Sequence, residues 1–437
     1  MWFYLLAAGL LLHTCFWGAG LALLATPRVW RRFWWVFVPA FGLALQSAVV
    51  WAGAHTSLAG TRAYAWPSEL LPLLLLAAAA WRFRAGWRRR VADGRRAAGV
   101  ALVVLAAGWT LLSPMAAASR GLTSLSLGSC DHADYAAGAR VLQEFARDDR
   151  TGFLGLPEVT RVRSAEYFFD FWLRLNHFTP AALVAHDAVV LDTRPDEMIS
   201  TLAAVLVLLN VPLVFFLARR LLGLRGRPLL VLTAVYAFSP LQSYAVQAGA
   251  LGQLLAAQGI ALLTLAALAA VETRRGWAFA PLVLAGFWLL AGSYNFILTV
   301  SLAPAGAGLL GWIWWRRDWR GPARVSAMLA AMLALCAALF WGRFDGLIER
   351  FSLFEEYNFG WPVPLLSPDG WLGLVADPAL HAWPTGWRVG LSVAAVAGWI
   401  GGVAWLARRR KKQALAALAL TLPVLAGWAM LAWETRT

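Results

Sequence analysis

The chain has 437 residues and a formal net charge of +15, yet only 14% of its residues are charged and 60% are hydrophobic, with a mean hydropathy of +0.63. Soluble domains carry roughly a quarter charged residues, so an ordinary soluble fold is excluded, and the 26 tryptophans suit a membrane boundary. The basic excess does not point to nucleic acid, because it is divided among short loops between apolar runs.

Apolar runs of about 18 residues are candidate membrane-spanning helices. Twelve are expected, at 3–25, 33–53, 67–81, 97–114, 199–218, 228–247, 250–270, 277–292, 294–315, 324–341, 388–407 and 414–433. The fold class is an all-α polytopic membrane protein with two outer-face segments containing interfacial helices. The first run has no basic leader and no small-residue cleavage pattern, so it reads as an anchor. The domains expected are an N-terminal four-helix membrane region (1–115), an outer loop (116–198), central transmembrane helices (199–341), a second outer loop (342–387) and a C-terminal helix pair (388–437).

Alternate loops then carry the basic residues. Arg28, Arg31 and Arg32 are followed on the same side by seven arginines over 82–96, then Arg219, Arg220, Arg225 and Arg227. Arg274 and Arg275, Arg316, Arg317, Arg320 and Arg324, and the run 408–412 complete that side. The other side holds few, and in 116–198 twelve acidic residues outnumber eight basic ones. The positive-inside rule places the basic loops in the cytoplasm and both termini outside. Arginine is used almost without lysine, Lys411 and Lys412 being the two lysines, which together with abundant Ala, Gly and Trp suits a GC-rich genome and a bacterial cytoplasmic (inner) membrane.

The outer loop opens with "GSCDHADYAAGARVLQEF" (128–145). Tyr135, Leu142 and Phe145 give one apolar face, a helix signal. Asp131 and Asp134 lie three apart and point the same way if the helix starts there. Either carboxylate suits general-base work on a hydroxyl, and either equally suits capping or the helix dipole. Asp131, His132 and Asp134, with His177 and His186 further on, also offer oxygen and nitrogen ligands without a closed zinc spacing. Oxygen-rich magnesium or manganese binding stays open, and no metal or other cofactor is assigned. "SAEYFFDFWLRLNHFTP" (164–180) mixes aromatics with Glu166, Asp170 and Arg174, which suits a segment partly sunk in the interface.

"FSPLQSYAVQAGALGQ" (238–253) breaks the apolar pattern at the expected outer boundary. Gln242, Tyr244 and Gln247 there, with Tyr294 and Asn295 in a later turn, suit a cavity for a sugar or lipid headgroup, or equally helix–helix contacts. Outer-face arginines are scarce. Arg343 in "FWGRFD", and Arg163, have the planar fork that binds phosphate, while snorkelling or pairing with neighbouring acids explains them as well. The loop 342–387, rich in Pro, Gly and Trp, reads as irregular structure at headgroup level. No phosphate-binding glycine motif occurs, so ATP-driven transport has no motor. Nearly every charge falls in loops, with His13 the clearest exception, which argues against ion-coupled transport.

The succession "CDHADYAAGARVLQEF", "DEMISTLAAVLVLLNVPLVFFLARRLLGL" and "YAFSPLQSYAVQAGALGQ" resembles the GT-C superfamily of integral-membrane glycosyltransferases, such as protein mannosyltransferases and lipid A glycosyltransferases, over roughly 98–345. The resemblance implies transfer from a polyprenyl-phosphate sugar donor to a lipid, glycan or protein acceptor, with inversion. It implies Asp131 or Asp134 as the base, Asp131 being favoured because the family's acid opens this helix. Glu166 and Asp170 are secondary acidic candidates, and Arg343 and Arg163 donor-phosphate binders. Four helices precede the loop here, where the family layout has one. A transporter, flippase or ligase-like component of an envelope polysaccharide pathway is the alternative. Membrane lipids are expected partners and nucleic acid is not.

The topology makes a direct prediction. A cysteine introduced at Arg150, with Cys130 replaced by serine, reacts with an impermeant thiol reagent added to intact cells. Labelling only after lysis would reverse the sidedness.

Overall fold

A computed structural model describes residues 2–55, 60–117, 131–146, 178–274, 276–293, 301–340, 344, 367–371 and 385–434. The described residues form helices and no strand. They are α1 (Trp2–Ala25), α2 (Trp34–Ala54), α3 (Gly60–Ser68), α4 (Leu70–Arg82), α5 (Trp87–Gly94), α6 (Ala98–Ala117), α7 (Asp131–Glu144), α8 (Phe178–Val190) and α9 (Pro195–Arg220). After these come α10 (Arg227–Ala237), α11 (Pro240–Gln247), α12 (Leu251–Thr273), α13 (Ala280–Gly292), α14 (Ala303–Arg316), α15 (Arg320–Leu339), α16 (Pro368–Trp371), α17 (Trp387–Arg409) and α18 (Lys411–Glu434).

Among the described residues nine helices are long and apolar enough to cross a membrane, two of them interrupted: α3–α4 over Gly60–Arg82 and α10–α11 over Arg227–Gln247. The expected run 277–292 is met over Gly276–Gly292, a 3₁₀ turn leading into α13, and α14 lies in the described part of 294–315. The run 414–433 lies within α18. In hydrocarbon every backbone amide must be satisfied within the chain, and helices do this segment by segment.

The helices sort by how apolar they are all round. α9 and α12 form the centre, buried over most of their length, while α1, α6 and α17 turn Leu12, Leu102, Leu105 and Val393 outward. A helix apolar on every side belongs inside a bundle or in lipid. α1 and α2 cross closely: a Cβ on Gly18 would fall 1.8 Å from the Val38 carbonyl oxygen, and one on Gly42 would fall 2.1 Å from that of Thr14. Small residues at such a crossing let backbones touch where lipid supplies no hydrophobic drive.

The basic loops meet at one end of the bundle. Trp30 is buried there, stacked on Phe37 and edge-on to Phe216 and Phe279. Arg31 lies over Phe83, Arg219 over Phe33 and Arg220 over Trp30. Glu272 at the end of α12 pairs with Lys412 and approaches Arg220 at 3.8 Å. Arg274, Arg320 and Arg324 line one cleft. Loops far apart in sequence thus share one face, as alternating spans require.

The two outer segments depart from expectation where they are described. Helices lying on the membrane surface were expected over 116–198. α7 does begin at Asp131, but every residue from 178 to 188 in α8 is buried, packed among α2, α3, α7 and α9. The reason is its composition: "FTPAALVA" leaves no polar face to lay on water. In 342–387, expected to be irregular, α16 makes a short turn pinned to the start of α17. Arg388 Nε donates to Asp369 Oδ2 at 2.6 Å and its Nη2 to Ser367 Oγ at 3.0 Å. Ser392 Oγ donates to Asp369 Oδ1 at 3.0 Å, and Ser367 Oγ donates to the same oxygen.

Burial works against ionising Asp369, but Arg388 and the two serines outweigh it and hold its pKa down to about 2. The folded value lies below the usual one, so this stabilisation is complete above about pH 4 and is lost as pH falls toward 2. Asp369→Asn is expected to cost about 2 kcal/mol or more, read as a lower thermal midpoint in detergent at pH 7. The difference from wild type should shrink in acid.

Candidate functional site

α7 is set by its first turn. Asp131 and Asp134 both lie there, where carboxylates favour a helix N-terminus. His132, Tyr135, Ala139 and Leu142 form its buried face, and Thr61 Oγ1 donates to the Leu142 carbonyl at 2.6 Å, tying α3 to α7. Asp131 and Asp134 remain half-buried, three residues apart. Asp131 is therefore a first-turn residue of the helix.

His132 points the other way, into the turn between α11 and α12. A Cβ on Gly249 would fall 2.5 Å from His132 Nδ1, and Gly249 itself has φ +69°. Only glycine satisfies both the backbone angle and the approach. Burial lowers the His132 pKa, so the imidazole is neutral at pH 7. Neither ring nitrogen has a hydrogen-bond partner among the described residues.

The polar break falls within a candidate span. The span continues through Gln247, and the interruption falls inside it at 238–240, where Pro240 removes a donor and Ser239 Oγ caps α11 by accepting from Leu241 N at 3.3 Å. Asn210 Nδ2 donates to Tyr236 Oη at 2.8 Å beside this break, which joins α9 to α10. Gln242, with Ser239 and Tyr236, lines a mostly apolar groove of about 380 Å³ walled by α9, α10 and Leu420. Tyr244 and Gln247 are half-buried on α11, which leads to the turn that His132 touches. The start of α7 and the turn after α11, separated by more than a hundred residues, are thus neighbours through His132 and Gly249. Glu166, Asp170, Arg163, Arg343, Tyr294, Asn295 and His177 lie outside the described residues.

A second constellation lies inside the bundle. Apolar α1 carries His13 eleven residues from its start and twelve from its end. The α3–α4 span is interrupted between Pro67 and Pro72, and the break presents Ser68 and Glu69. α8 brings His186 and Asp187, and α2 brings Gln46. His13 Nε2 lies 2.8 Å from Glu69 Oε1 and His13 Nδ1 lies 3.1 Å from Asp187 Oδ1. His186 repeats the pattern, with Nε2 3.9 Å from Glu69 Oε1 and Nδ1 3.3 Å from Asp187 Oδ1. The two rings lie nearly parallel, 5.9 Å between centroids. Trp17 Nε1 donates to Glu69 at 3.0 Å, Gln46 Nε2 to Asp187 Oδ1 at 3.2 Å, and Ser68 Oγ sits 3.0 Å from His186 Nε2.

The expectation that charges keep to loops is corrected here: Glu69 and Asp187 join His13 and His186 within the bundle, their desolvation offset by one another. Among the described residues, the ligand-type side chains that converge are His13, Glu69 and His186, and not the Asp131–His132–Asp134 set. Compared with models of known protein families, with curated proteins and with solved structures, the chain finds no match.

The His132–Gly249 contact yields a coupled prediction. Gly249→Ala should lower the thermal midpoint, through positive φ and through the imidazole in its way, by about 1 kcal/mol or more. In a His132→Ala background the same change should cost less, leaving only the backbone strain. Equal costs in both backgrounds would separate α7 from this turn.

Proposed function

We propose that the chain is a membrane glycosyltransferase of the GT-C kind, acting on the outer face of a bacterial cytoplasmic membrane, with both termini on that face. The observation that supports this reading is the meeting of the α7 first turn, carrying Asp131 and Asp134, with the turn that ends the broken α10–α11 span. A carboxylate at a helix start beside the turn that closes this span suits an acceptor hydroxyl, and the apolar groove at the other end of α11 suits a lipid-linked donor.

In the proposed step Asp131 or Asp134 takes the proton of the acceptor hydroxyl. The acceptor oxygen then bonds to the anomeric carbon, while the bond from that carbon to phosphate breaks and its electron pair leaves on polyprenyl phosphate. One displacement inverts the configuration. Arg343 and Arg163 are the proposed phosphate binders, with Glu166 and Asp170 as secondary acids. Gln242, Tyr244, Gln247, Tyr294 and Asn295 are the proposed cavity residues, and the apolar groove beside Gln242 suits the donor's polyprenyl chain.

One observation favours the alternative, a transporter, flippase or ligase-like component: the ionisable ring of His13, Glu69, His186 and Asp187 in the bundle interior. Ionisable groups within spans mark substrate or proton paths in many carriers.

The test uses purified protein in nanodiscs with a panel of radiolabelled polyprenyl-phosphate sugars, following sugar transfer or slow hydrolysis. Asn caps a helix about as well as Asp, so Asp131→Asn and Asp134→Asn should both fold. Loss of the base should reduce turnover by about 100-fold or more. Full turnover in both variants would remove the proposed base. Absence of turnover and binding with every donor would leave the carrier reading in its place.

A further inference from the structure

We propose that the buried ring is a site for one divalent transition-metal ion of the imidazole-preferring class, zinc first, ligated by His13 Nε2, His186 Nε2 and a Glu69 carboxylate oxygen, with Asp187 orienting both imidazoles. The site stands independently of glycosyl transfer.

Its geometry is two-sided. Both Nε2 atoms face Glu69 and both Nδ1 atoms face Asp187. Each histidine thus has one nitrogen for an ion and one to donate to a carboxylate, the outer-shell arrangement that fixes tautomer and ring orientation in imidazole–metal sites. One ligand atom from each of His13, Glu69 and His186 lies within 4.8 Å of the others. A tetrahedral ion with bonds near 2 Å needs ligand atoms about 3.3 Å apart. The two distances to Glu69 Oε1, 2.8 and 3.9 Å, bracket that spacing, so small side-chain rotations suffice. Ser68 Oγ, 3.0 Å from His186 Nε2, stands beside the remaining coordination position.

Charge points the same way. A carboxylate in an apolar bundle stays ionised only where positive charge or hydrogen-bond donors compensate it. A divalent ion on the Glu69 side balances Glu69 and Asp187, with the imidazoles neutral and their Nδ1 hydrogens on Asp187. Trp17 Nε1 reaches both Glu69 oxygens, at 3.0 and 3.1 Å, and Gln46 Nε2 holds Asp187. Trp17 Nε1 also lies 3.0 Å from His13 Nε2 and Gln46 Nε2 lies 3.3 Å from His13 Nδ1, so an ion on His13 Nε2 requires the indole to donate to Glu69 alone. Two nitrogens and one oxygen suit zinc or iron(II) better than magnesium or calcium, which take oxygen sets. Access is through the α3–α4 break: Glu69 is 16% exposed, while His186 and Asp187 are 0% and 3%.

The test uses tag-free full-length protein in detergent, dialysed against trace zinc or cobalt(II). Elemental mass spectrometry should find about one ion per chain, and cobalt(II) should give the visible absorption of a four- or five-coordinate site. Added zinc should raise the thermal midpoint of the stripped protein. His186→Gln and Glu69→Gln should lose the ion, the cobalt spectrum and the thermal shift. Asp187→Asn should keep the site with affinity reduced about 10- to 100-fold. Size-exclusion profiles and the zinc-free midpoint report whether each variant folds, and the wild-type stoichiometry and spectrum decide the matter if one does not. Wild-type protein that holds well under one ion per chain, or variants that hold as much as wild type, would overturn the metal site. Proton uptake by the ring without metal would do the same and would favour the carrier reading.

Discussion

A backbone amide in hydrocarbon has no water to turn to, and that constraint orders this molecule. Helices can stop inside the membrane only where protein covers the break. Two spans stop there, α3–α4 at Ser68 and Glu69 and α10–α11 at Ser239. The first break meets polar partners from other helices, His13, Trp17 and His186, while at the second Ser239 caps the following helix within its own span. At the first interruption the polar side chains of Ser68 and Glu69 gather those of His13, Trp17 and His186.

The rest of the architecture serves that placement. α8 is short and buried from 178 to 188, packed among α2, α3, α7 and α9. Its last turn delivers His186 and Asp187 to the first break, while α7, packed along α8, holds Asp131 and Asp134 at the bundle's edge. The two candidate sites therefore share a scaffold. The close α1–α2 crossing at Gly18 and Gly42 brings His13 and Gln46 within reach of one another, at 3.3 Å between Gln46 Nε2 and His13 Nδ1.

Much of this was legible in the residues. Long apolar runs marked the spans, and the one-sided arginines anticipated the loops that meet around Trp30. Asp131, Tyr135 and Leu142 marked the start and face of α7. The run 277–292 is met by the apolar helix Gly276–Gly292, whose first residues form a 3₁₀ turn ending at Phe279. The ring went unread because its members come from separated runs: Gln46 and Asp187 are 141 residues apart, and Ser68 and His186 are 118 apart. A signal did exist. Glu69 stands inside an apolar run between Pro67 and Pro72, and a carboxylate there points to a partner by default. The expected run 67–81 begins at Pro67 and so takes in Glu69 without the helix break beside it.

Chain order gives the ring a history within each molecule. His13, Trp17 and Glu69 leave the ribosome long before His186 and Asp187, and Glu69 enters the membrane with an aspartate-bearing helix still to be made. Its first neutralising contacts are those to α1, at 2.8 and 3.0 Å, which need nothing downstream. The N-terminal helices can thus assemble as an early subunit of the bundle, awaiting α8. An error in that first pairing would meet membrane quality control before the second half of the protein exists.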